Sequence, residues 1–403
     1  MYLIQKTFIL TIESFGVGEA PDAGVYGDKN ANTLGHVADY TGGLDLPAFS
    51  RLGLGNLTFI KGLPRDDETI AYYGKSRQIS DSKDSLSGHW EITGYNYPSL
   101  YHSDPEGFFP QFIEKLENDL GKKCLFNQRL NADQIIDRYY YDHITEKSFI
   151  VFYNPGDMTL YIAAHPDVAD EDKLKEIVQI MHDSAEYYGF IRSCGLSVNH
   201  NNKKNVLEKK RIIDLSKKPL STTLLGTCKS AGIPVYFIGK KQNIFEDREF
   251  TEIILAPSDR ACMEKLNEVQ SGIKYSNEHG QALIYCVLSD INTITAKGKD
   301  IKAYSDAVKG IDDFLQKFIR SMNTSDLIMI TSSNGNDPSF TESMHTREYL
   351  PILAYSRVLG VRSVGNLGVR RTLSDIAETI SDIYSLDSHY GGDSFWNYML
   401  SQI

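Results

Sequence analysis

Short apolar runs separated by amphipathic stretches recur along most of this 403-residue chain. Continuous apolar runs of about four to eight residues are typical of strands that are buried on both faces. The sequence predicts a buried strand at Thr7–Glu13 and six further strands, at Ser148–Tyr153, Pro234–Gly239, Glu252–Ala256, Ala282–Leu288, Asp326–Thr331 and Pro351–Tyr355. Helical periodicity predicts helices at 172–187, 221–231, 301–321 and 372–384. Strands that alternate with helices favour an α/β fold with a mostly parallel sheet.

The middle of the chain differs in composition from the rest. Residues 97–217 are rich in Tyr, Asn, Asp and Lys. We interpret them as an α/β domain inserted into a discontinuous core domain, which consists of residues 1–96 and 218–403. The inserted segment includes a lysine-rich stretch, Lys203–Arg211, which we interpret as a solvated face.

Charge and cysteine content narrow the classes of partner and the compartment. The chain has 53 acidic and 42 basic residues, a formal net charge of −11, so neither nucleic acid nor an anionic membrane is an expected partner. Its five cysteines are scattered and form no C-x-x-C pair, which favours free thiols. No apolar stretch reaches the ~18–20 residues of a membrane helix, and the first residues lack the features of a signal peptide. We therefore expect a cytoplasmic protein.

The residues that follow the predicted strands are the first candidates for a functional site, because ligands of open α/β sheets bind at the carboxyl ends of strands. Glu13 ends the first strand. The fifth strand leads into Ser289–Asn292, and the sixth leads into Ser332–Gly335. A separate loop at 82–91 carries three serine hydroxyls beside charged side chains. The sequence contains no nucleotide-binding glycine loop and no zinc-ligand spacing.

Five sequence strings follow one another along the chain: Ser14-Phe-Gly-Val-Gly18, Asn32-Thr-Leu-Gly-His36, Lys83-Asp-Ser-Leu-Ser-Gly-His-Trp-Glu-Ile92, Asn336-Asp-Pro338 and His345-Thr-Arg-Glu348. Their order and sequence resemble those of the bacterial phosphopentomutases in the alkaline phosphatase superfamily. The resemblance implies an alkaline-phosphatase-like α/β core with an inserted α/β cap domain. It also implies a di-manganese site, a phosphorylated threonine, and interconversion of ribose 1-phosphate and ribose 5-phosphate.

The resemblance also implies where the site residues lie, and most of those positions carry a different residue here. The family's metal-binding Asp, Asp, His, Asp, His and His correspond to Glu13, Asn292, Lys297, Ser333, Asn334 and His345. Ser85 stands where the family has its phosphorylated threonine. Asp157, Lys240 and His345 are the candidate substrate contacts. The positions of the family's cap arginines, which hold the substrate phosphate, fall near Leu196 and Glu208, so the resemblance implies that both arginines are replaced.

These replacements remove the charge that a metal pair needs. Two Mn²⁺ ions about 3.5–4 Å apart require several carboxylate or imidazole ligands. Asn offers a neutral carbonyl, Ser offers a weak hydroxyl, and a protonated Lys cannot act as a ligand. We therefore expect no bound metal cofactor, and manganese is the alternative. We also hypothesise that Lys297 takes the place of a lost cation and pairs with Glu13.

Three functions remain open at this point. The first is a pseudoenzyme that has lost the mutase reaction and binds a phosphorylated sugar or a protein partner. The second is an active phosphopentomutase that uses Ser85 and rearranged manganese ligands, for which Asp290, Asp337 and Glu342 are candidates. The third is a purely partner-binding protein with an empty cleft.

Several of the candidate residues also have a purely structural interpretation. His89 is interpreted as a hydrogen-bonded histidine inside its loop, and Lys83 and Asp84 as ion pairs that fix that loop. For His345, hydrogen bonds that hold the chain compete with ligand contact. Asp157 is either a substrate contact or a turn cap, and Lys240 either binds phosphate or ends a strand.

Overall fold

The fold is described from a computed structural model of the chain. It describes residues 3–97, 110–126, 132–154, 159–185, 188, 190, 192–201, 206–240, 244–272, 275–296, 300–340, 345–359 and 365–401.

The chain divides into two compact units. The first consists of Met1–Tyr97 and Pro219–Ile403, and the second of Pro98–Lys218. The boundaries expected from composition, 96/97 and 217/218, each lie one residue from these. The second unit is therefore an insertion in the sequence of the first.

The first unit contains an eight-stranded sheet and most of the helices. Its strands are β1 (Lys6–Ile12), β2 (Tyr72–Ser76), β8 (Val235–Gly239), β9 (Glu252–Leu255), β10 (Ala282–Leu288), β11 (Leu327–Thr331), β12 (Leu350–Tyr355) and β13 (Asn366–Arg370). Its helices are α1 (Thr33–Thr41), α2 (Pro47–Arg51), α3 (Ser85–Ile92), α7 (Leu224–Ser230), α8 (Asp259–Ser271), α9 (Asp290–Ala296), α10 (Ile301–Ser321), α11 (Ser374–Tyr384) and α12 (Trp396–Ser401).

The sheet of the first unit is mostly parallel. The strand order is β13-β2-β12-β11-β1-β10-β8-β9, and only the β11–β12 and β12–β2 pairs are antiparallel. β1 lies between β10 and β11, and all three strands are buried along their whole length. Such burial on both faces explains why these strands read as continuous apolar runs. The α/β fold with a mostly parallel sheet, expected from the sequence, is confirmed.

Within this sheet, the two strands that the sequence analysis missed, β2 and β13, lie toward one edge. β2 reads Tyr-Tyr-Gly-Lys-Ser, and β13 reads Asn-Leu-Gly-Val-Arg with a register shift between Asn366 and Gly368. Neither contains a continuous apolar run, and each has a glycine inside it, which lowers strand propensity. Their pairing depends on neighbouring strands that are distant in sequence.

The second unit is a smaller α/β unit with its own core. Its strands are β3 (Cys124–Phe126), β4 (Phe149–Asn154), β5 (Thr159–Ala164), β6 (Arg192–Asn201) and β7 (Val206–Ser216), in that spatial order. Its helices are α4 (Pro110–Leu120), α5 (Ala132–Glu146) and α6 (Glu171–Ala185). The described part of the lysine-rich stretch, residues 206–211, forms the first part of β7. Glu208, Lys210 and Arg211 on that strand are exposed, as a solvated face requires.

No helix in the part of the chain that the structure describes has both the length and the apolar character needed to cross a membrane.

Candidate functional site

Three adjacent parallel strands of the first unit end at the same place. β1 pairs with both β10 and β11, so the residues that follow these strands are brought together although they are about 280 to 320 positions apart in sequence. The Glu13 amide donates to the Leu288 carbonyl at 3.0 Å, and the Phe15 amide donates to the Asn334 carbonyl at 3.1 Å. The sequence analysis placed the candidate site here because strand ends of this kind collect ligands.

Neutral side chains bond to one another at this point. The Ser14 hydroxyl donates to Asn292 Oδ1 at 3.0 Å, and Asn336 Nδ2 donates to the Ser14 hydroxyl at 3.3 Å. The Ser333 hydroxyl donates to Asn334 Oδ1 at 2.9 Å. We call these five residues the amide–hydroxyl network. Three of its members, Asn292, Ser333 and Asn334, stand at positions that the resemblance equates with metal ligands.

Ser14 has a backbone conformation that L-residues rarely adopt. Its φ is 61°, in the left-handed region. Its carbonyl accepts a hydrogen bond from the Tyr304 hydroxyl at 2.6 Å, and its side chain belongs to the amide–hydroxyl network. A non-glycine residue persists in this region only when its surroundings hold it there. The turn after β1 is therefore fixed by contacts rather than by local sequence.

Glu13 is buried and bonds to a histidine from α3. Its Oε1 lies 3.1 Å from His89 Nε2, and His89 Nδ1 lies 2.8 Å from the Tyr285 hydroxyl. In the neutral ring, Nε2 donates to the carboxylate and Nδ1 accepts from the phenol. Burial raises the pKa of Tyr285, which keeps that phenol a proton donor. The structural interpretation of His89 as a hydrogen-bonded loop histidine agrees with these contacts.

Helix α3 carries Ser85 as its first residue and packs closely on the strand ends. Ser85 is half-buried, and the Asp84 side chain caps the helix by accepting from the Ser87 amide at 2.9 Å. A Cβ at Gly88 would lie 1.9 Å from the Ser333 carbonyl oxygen, so only glycine permits this approach. Asp84 is thus a helix cap, and it forms no ion pair with any of the described residues, contrary to the expectation.

Two charged side chains in the family-like strings, Arg347 and Glu91, form several hydrogen bonds to the backbone. The Arg347 guanidinium is buried and donates to the carbonyls of Gln78, Ser80 and Ser82 and to the Asp22 carboxylate. The buried Glu91 carboxylate accepts from the amides of Ile79, Ser80 and Leu373 and from the Thr372 hydroxyl. Buried charges are tolerated when they are compensated in this way. We call Arg347, Glu91 and their partners the loop frame.

Two further buried charges belong to the same part of the molecule. Lys83 Nζ lies 2.9 Å from both carboxylate oxygens of Asp28, which confirms the expected ion pair for Lys83. Glu348 accepts from the Thr33 amide at 2.9 Å and from the Thr346 hydroxyl at 2.6 Å, and its carboxylate fills the space beside Gly16. Burial raises the pKa of Glu348 to about 7, and the threonine hydrogen bonds oppose that shift.

The acidic residues considered as replacement ligands are engaged elsewhere. Asp290 Oδ1 pairs with Lys240 Nζ at 2.5 Å, and Asp290 Oδ2 accepts from the Asp259 amide at 2.8 Å. Burial, with a contribution from the Asp290 charge, raises the pKa of Asp259 to about 7. The buried Asp337 pairs with His36 at 2.6 Å. Lys240 thus forms an ion pair at the end of β8, and its contact with phosphate stays a prediction.

Three predicted residues, Asp157, Lys297 and Glu342, lie outside the described residues, so their roles stay predictions. The hypothesis that Lys297 pairs with Glu13 is among them; the partner of Glu13 within the described residues is His89. His345 is buried, with 2% of its surface exposed.

An arginine pair in the second unit was not found from the sequence. Arg192 on β6 makes a two-pronged contact with Asp214 on β7, at 2.9 and 2.7 Å, and Arg211 Nη1 bonds to the same carboxylate at 2.7 Å. The resemblance places the family's cap arginines near Leu196 and Glu208. In the β6–β7 register, Arg211 lies directly opposite Leu196. Two arginines that share one carboxylate keep a net positive charge, and their planar guanidinium groups suit phosphate recognition.

The donors present do not fit a pair of metal ions. Within the ranges that the structure describes, no three His, Cys, Asp or Glu side chains come together in a way that could hold a metal. At the strand ends, neutral amides and hydroxyls satisfy one another, and the Glu13 carboxylate bonds to His89. Neutral oxygens of this kind do not offset the charge of two divalent cations.

Comparison with known proteins identifies the family. The model of the metalloenzyme superfamily matches residues 5–388. The chain is 32% identical over 404 residues to a phosphopentomutase of Alkaliphilus oremlandii, covering 98% of this chain and 99% of the relative. It is also 32% identical over 406 residues to a phosphopentomutase of Caldanaerobacter subterraneus, covering 98% of each.

A solved structure supports the fold at a greater distance. Phosphoglycerate mutase from Leishmania mexicana, solved at low cobalt concentration, superposes with a TM-score of 0.50 at 9% identity and covers 97% of each chain. That identity is informative about the fold alone. The full-length matches to curated phosphopentomutases identify the family within this superfamily. The chain therefore belongs to the phosphopentomutase family of the metalloenzyme superfamily.

Proposed function

We propose that this member of the phosphopentomutase family does not catalyse the metal-dependent mutase reaction and instead binds a phosphorylated sugar. The observation that carries the proposal is the amide–hydroxyl network, in which side chains at three ligand-equivalent positions are neutral and bond to their neighbours. Without cations at the transferring phosphoryl group, phosphoryl transfer lacks its main source of charge stabilisation.

Ser85 supports the same proposal. Its hydroxyl is a weak nucleophile unless a base or a metal activates it. The nearest candidate base in its helix, His89, is bonded through Nε2 to Glu13 and through Nδ1 to Tyr285. Both ring nitrogens are therefore engaged, and neither is available to take a proton from Ser85.

Recognition of the phosphate is assigned in this proposal to the Arg192–Asp214–Arg211 cluster. The side chains of the two arginines are 31% and 50% exposed, so an anion can reach them. Phosphate accepts the remaining guanidinium hydrogen bonds, and Asp214 holds both groups in place. The ligand class follows from the family, whose curated members are named phosphopentomutases.

The alternative is an active phosphopentomutase with rearranged ligands. Family membership favours it, since relatives with 32% identity over their full length carry that name. Against it, Asp290 and Asp337 are engaged with Lys240 and His36.

One set of measurements decides between the two. The full chain is assayed for conversion of ribose 1-phosphate to ribose 5-phosphate with and without Mn²⁺, and calorimetry follows ribose 5-phosphate binding in the presence of a chelator. We expect no conversion, and binding that weakens at least tenfold in Arg211→Met but not in Arg260→Met, whose arginine is on an exposed surface. Mn²⁺-dependent turnover that Ser85→Ala abolishes would establish the alternative.

A further inference from the structure

The imidazole of His36 on α1 is oriented by a buried carboxylate. Its Nδ1 lies 2.6 Å from Oδ2 of Asp337, a wholly buried carboxylate, while 37% of the imidazole side chain is exposed. Asp337 also accepts from the Asn32 amide at 2.6 Å, the Ser339 amide at 2.9 Å and the Ser339 hydroxyl at 2.7 Å. Three other donors already point at this carboxylate, whose oxygens can only accept when it is ionised, so His36 Nδ1 donates to it.

The consequence is a defined hydrogen-bond acceptor on the surface. In the neutral ring, a proton on Nδ1 leaves a lone pair on Nε2. A carboxylate behind an imidazole fixes both the tautomer and the ring orientation, as it does for histidines that bind ligands. Among the contacts of the described residues, all those of His36 are made through Nδ1.

Ser339 supplies a second acceptor beside the first. Its hydroxyl donates its proton to Asp337 Oδ1 and lies 3.3 Å from His36 Nδ1, so its free lone pairs are left to accept. Ser339 is exposed. A ligand that meets both His36 Nε2 and Ser339 Oγ must therefore bring two donors, as a vicinal pair of hydroxyl groups does.

An exposed aromatic ring lies on the same face of α1. Tyr40 follows His36 by four residues, which places the two side chains one helical turn apart. Its surface is 73% exposed. Ligand sites combine aromatic surface with a few placed polar groups, and an aromatic ring can pack against the apolar C–H face of a sugar ring.

We propose that His36, Ser339 and Tyr40 form a binding site for the vicinal diol of a sugar, with His36 Nε2 and Ser339 Oγ as the acceptors. Asp337 is the positioning residue of this site, because it orients His36 and takes the proton of Ser339. The site needs no metal and does not involve the arginines of the second unit, so it stands independently of the proposed function.

Nuclear magnetic resonance of the full chain with labelled histidine tests this site. Ribose is the probe, and 2,3-O-isopropylidene ribose is the matched compound in which both donors are masked. We expect ribose alone to shift the His36 Nε2 resonance in a saturable way, and we expect Ser339→Ala and Tyr40→Ala each to weaken binding several-fold. Tyr141→Ala is the control, because Tyr141 is equally exposed at 73% and lies in the second unit.

The same spectra contain the outcomes that would overturn the site. If ribose leaves His36 unshifted, or if the masked compound shifts it equally, no diol is recognised there. A shift that Tyr40→Ala and Ser339→Ala leave unchanged would place ribose elsewhere. A response to a simple amine such as ethanolamine, without one to ribose, would also contradict the proposal. Binding of ribose 5-phosphate is measured separately by calorimetry. A negative result with ribose at His36 therefore does not contradict the proposed function.

Discussion

The loop frame and the amide–hydroxyl network lie in the same unit but have opposite electrostatic character. In the loop frame, the Arg347 guanidinium donates to several backbone carbonyls, and the Glu91 side chain accepts from several backbone amides. In the network, neutral side chains at the strand ends bond to one another. The family-like strings thus keep charged side chains where these hold the backbone, while the ligand-equivalent positions Asn292, Ser333 and Asn334 carry neutral side chains. This is the difference expected if the fold is kept while the metal chemistry is lost, as we propose.

The largest expected effect comes from removing the central charge of the loop frame. Arg347→Met leaves three carbonyls and Asp22 without their buried donor, and we expect a loss of about 3–5 kcal/mol in the free energy of unfolding. Urea denaturation at neutral pH measures it. Arg260→Met removes an arginine that is 88% exposed and should leave stability nearly unchanged. A small effect of Arg347→Met would mean that the frame does not depend on this charge.

Glu91→Gln should have the next largest effect. The amide group replaces an acceptor with a donor that faces the amides of Ile79 and Ser80, so at least one buried donor loses its partner. We expect destabilisation of about 2–3 kcal/mol by the same measurement. Glu264→Gln, at an exposed helix position, is the control. Equal stability of the two variants would contradict the structural role of Glu91.

A carboxylate that remains at the strand ends should make stability depend on pH. Asp259 has a pKa of about 7 in the folded chain against an ordinary value of 3.8. Between these values the folded state holds a proton that the unfolded state has released, so this contribution to stability falls as pH rises from about 4 to 7. Asp259→Asn should remove that dependence, and relative to the original chain it should gain a few kcal/mol across the interval, since each pKa unit corresponds to about 1.4 kcal/mol. Parallel pH profiles of the two proteins would contradict the assignment.

The smallest effect is expected inside the network itself. Ser333→Ala deletes one neutral hydrogen bond to Asn334 Oδ1, and we expect a loss of about 1 kcal/mol. Added Mn²⁺ should leave the melting temperature of both proteins unchanged. Ser271→Ala, at an exposed helix end, is the control for losing a hydroxyl. A manganese-dependent rise in melting temperature that Ser333→Ala removes would show that this hydroxyl is a ligand.

The sequence predicted the strands best where apolar residues follow one another without interruption. Central strands such as β1 and β10 were predicted almost to the residue, because burial on both faces demands an unbroken apolar run. β2 and β13 were missed because a glycine interrupts each of them and their pairing partners are far away in sequence.

The site shows the same limit. The strand-end positions followed from topology, but the contact of Glu13 with His89, 76 residues away, was not predicted, and the predicted contact with Lys297 lies outside the described residues. That contact depends on how α3 docks, and the docking depends on Gly88 against Ser333. The Arg192–Asp214–Arg211 cluster was likewise hidden, since it forms only when β6 and β7 pair in register. Long-range packing, which no local pattern encodes, places these groups.

Manganese content tests the central claim most directly. The full chain is purified without chelator from cells supplied with manganese, and the bound metal is measured by mass spectrometry against protein concentration, beside a curated phosphopentomutase relative treated identically. The account predicts no manganese above the buffer level in this chain. Two manganese ions per chain would contradict it.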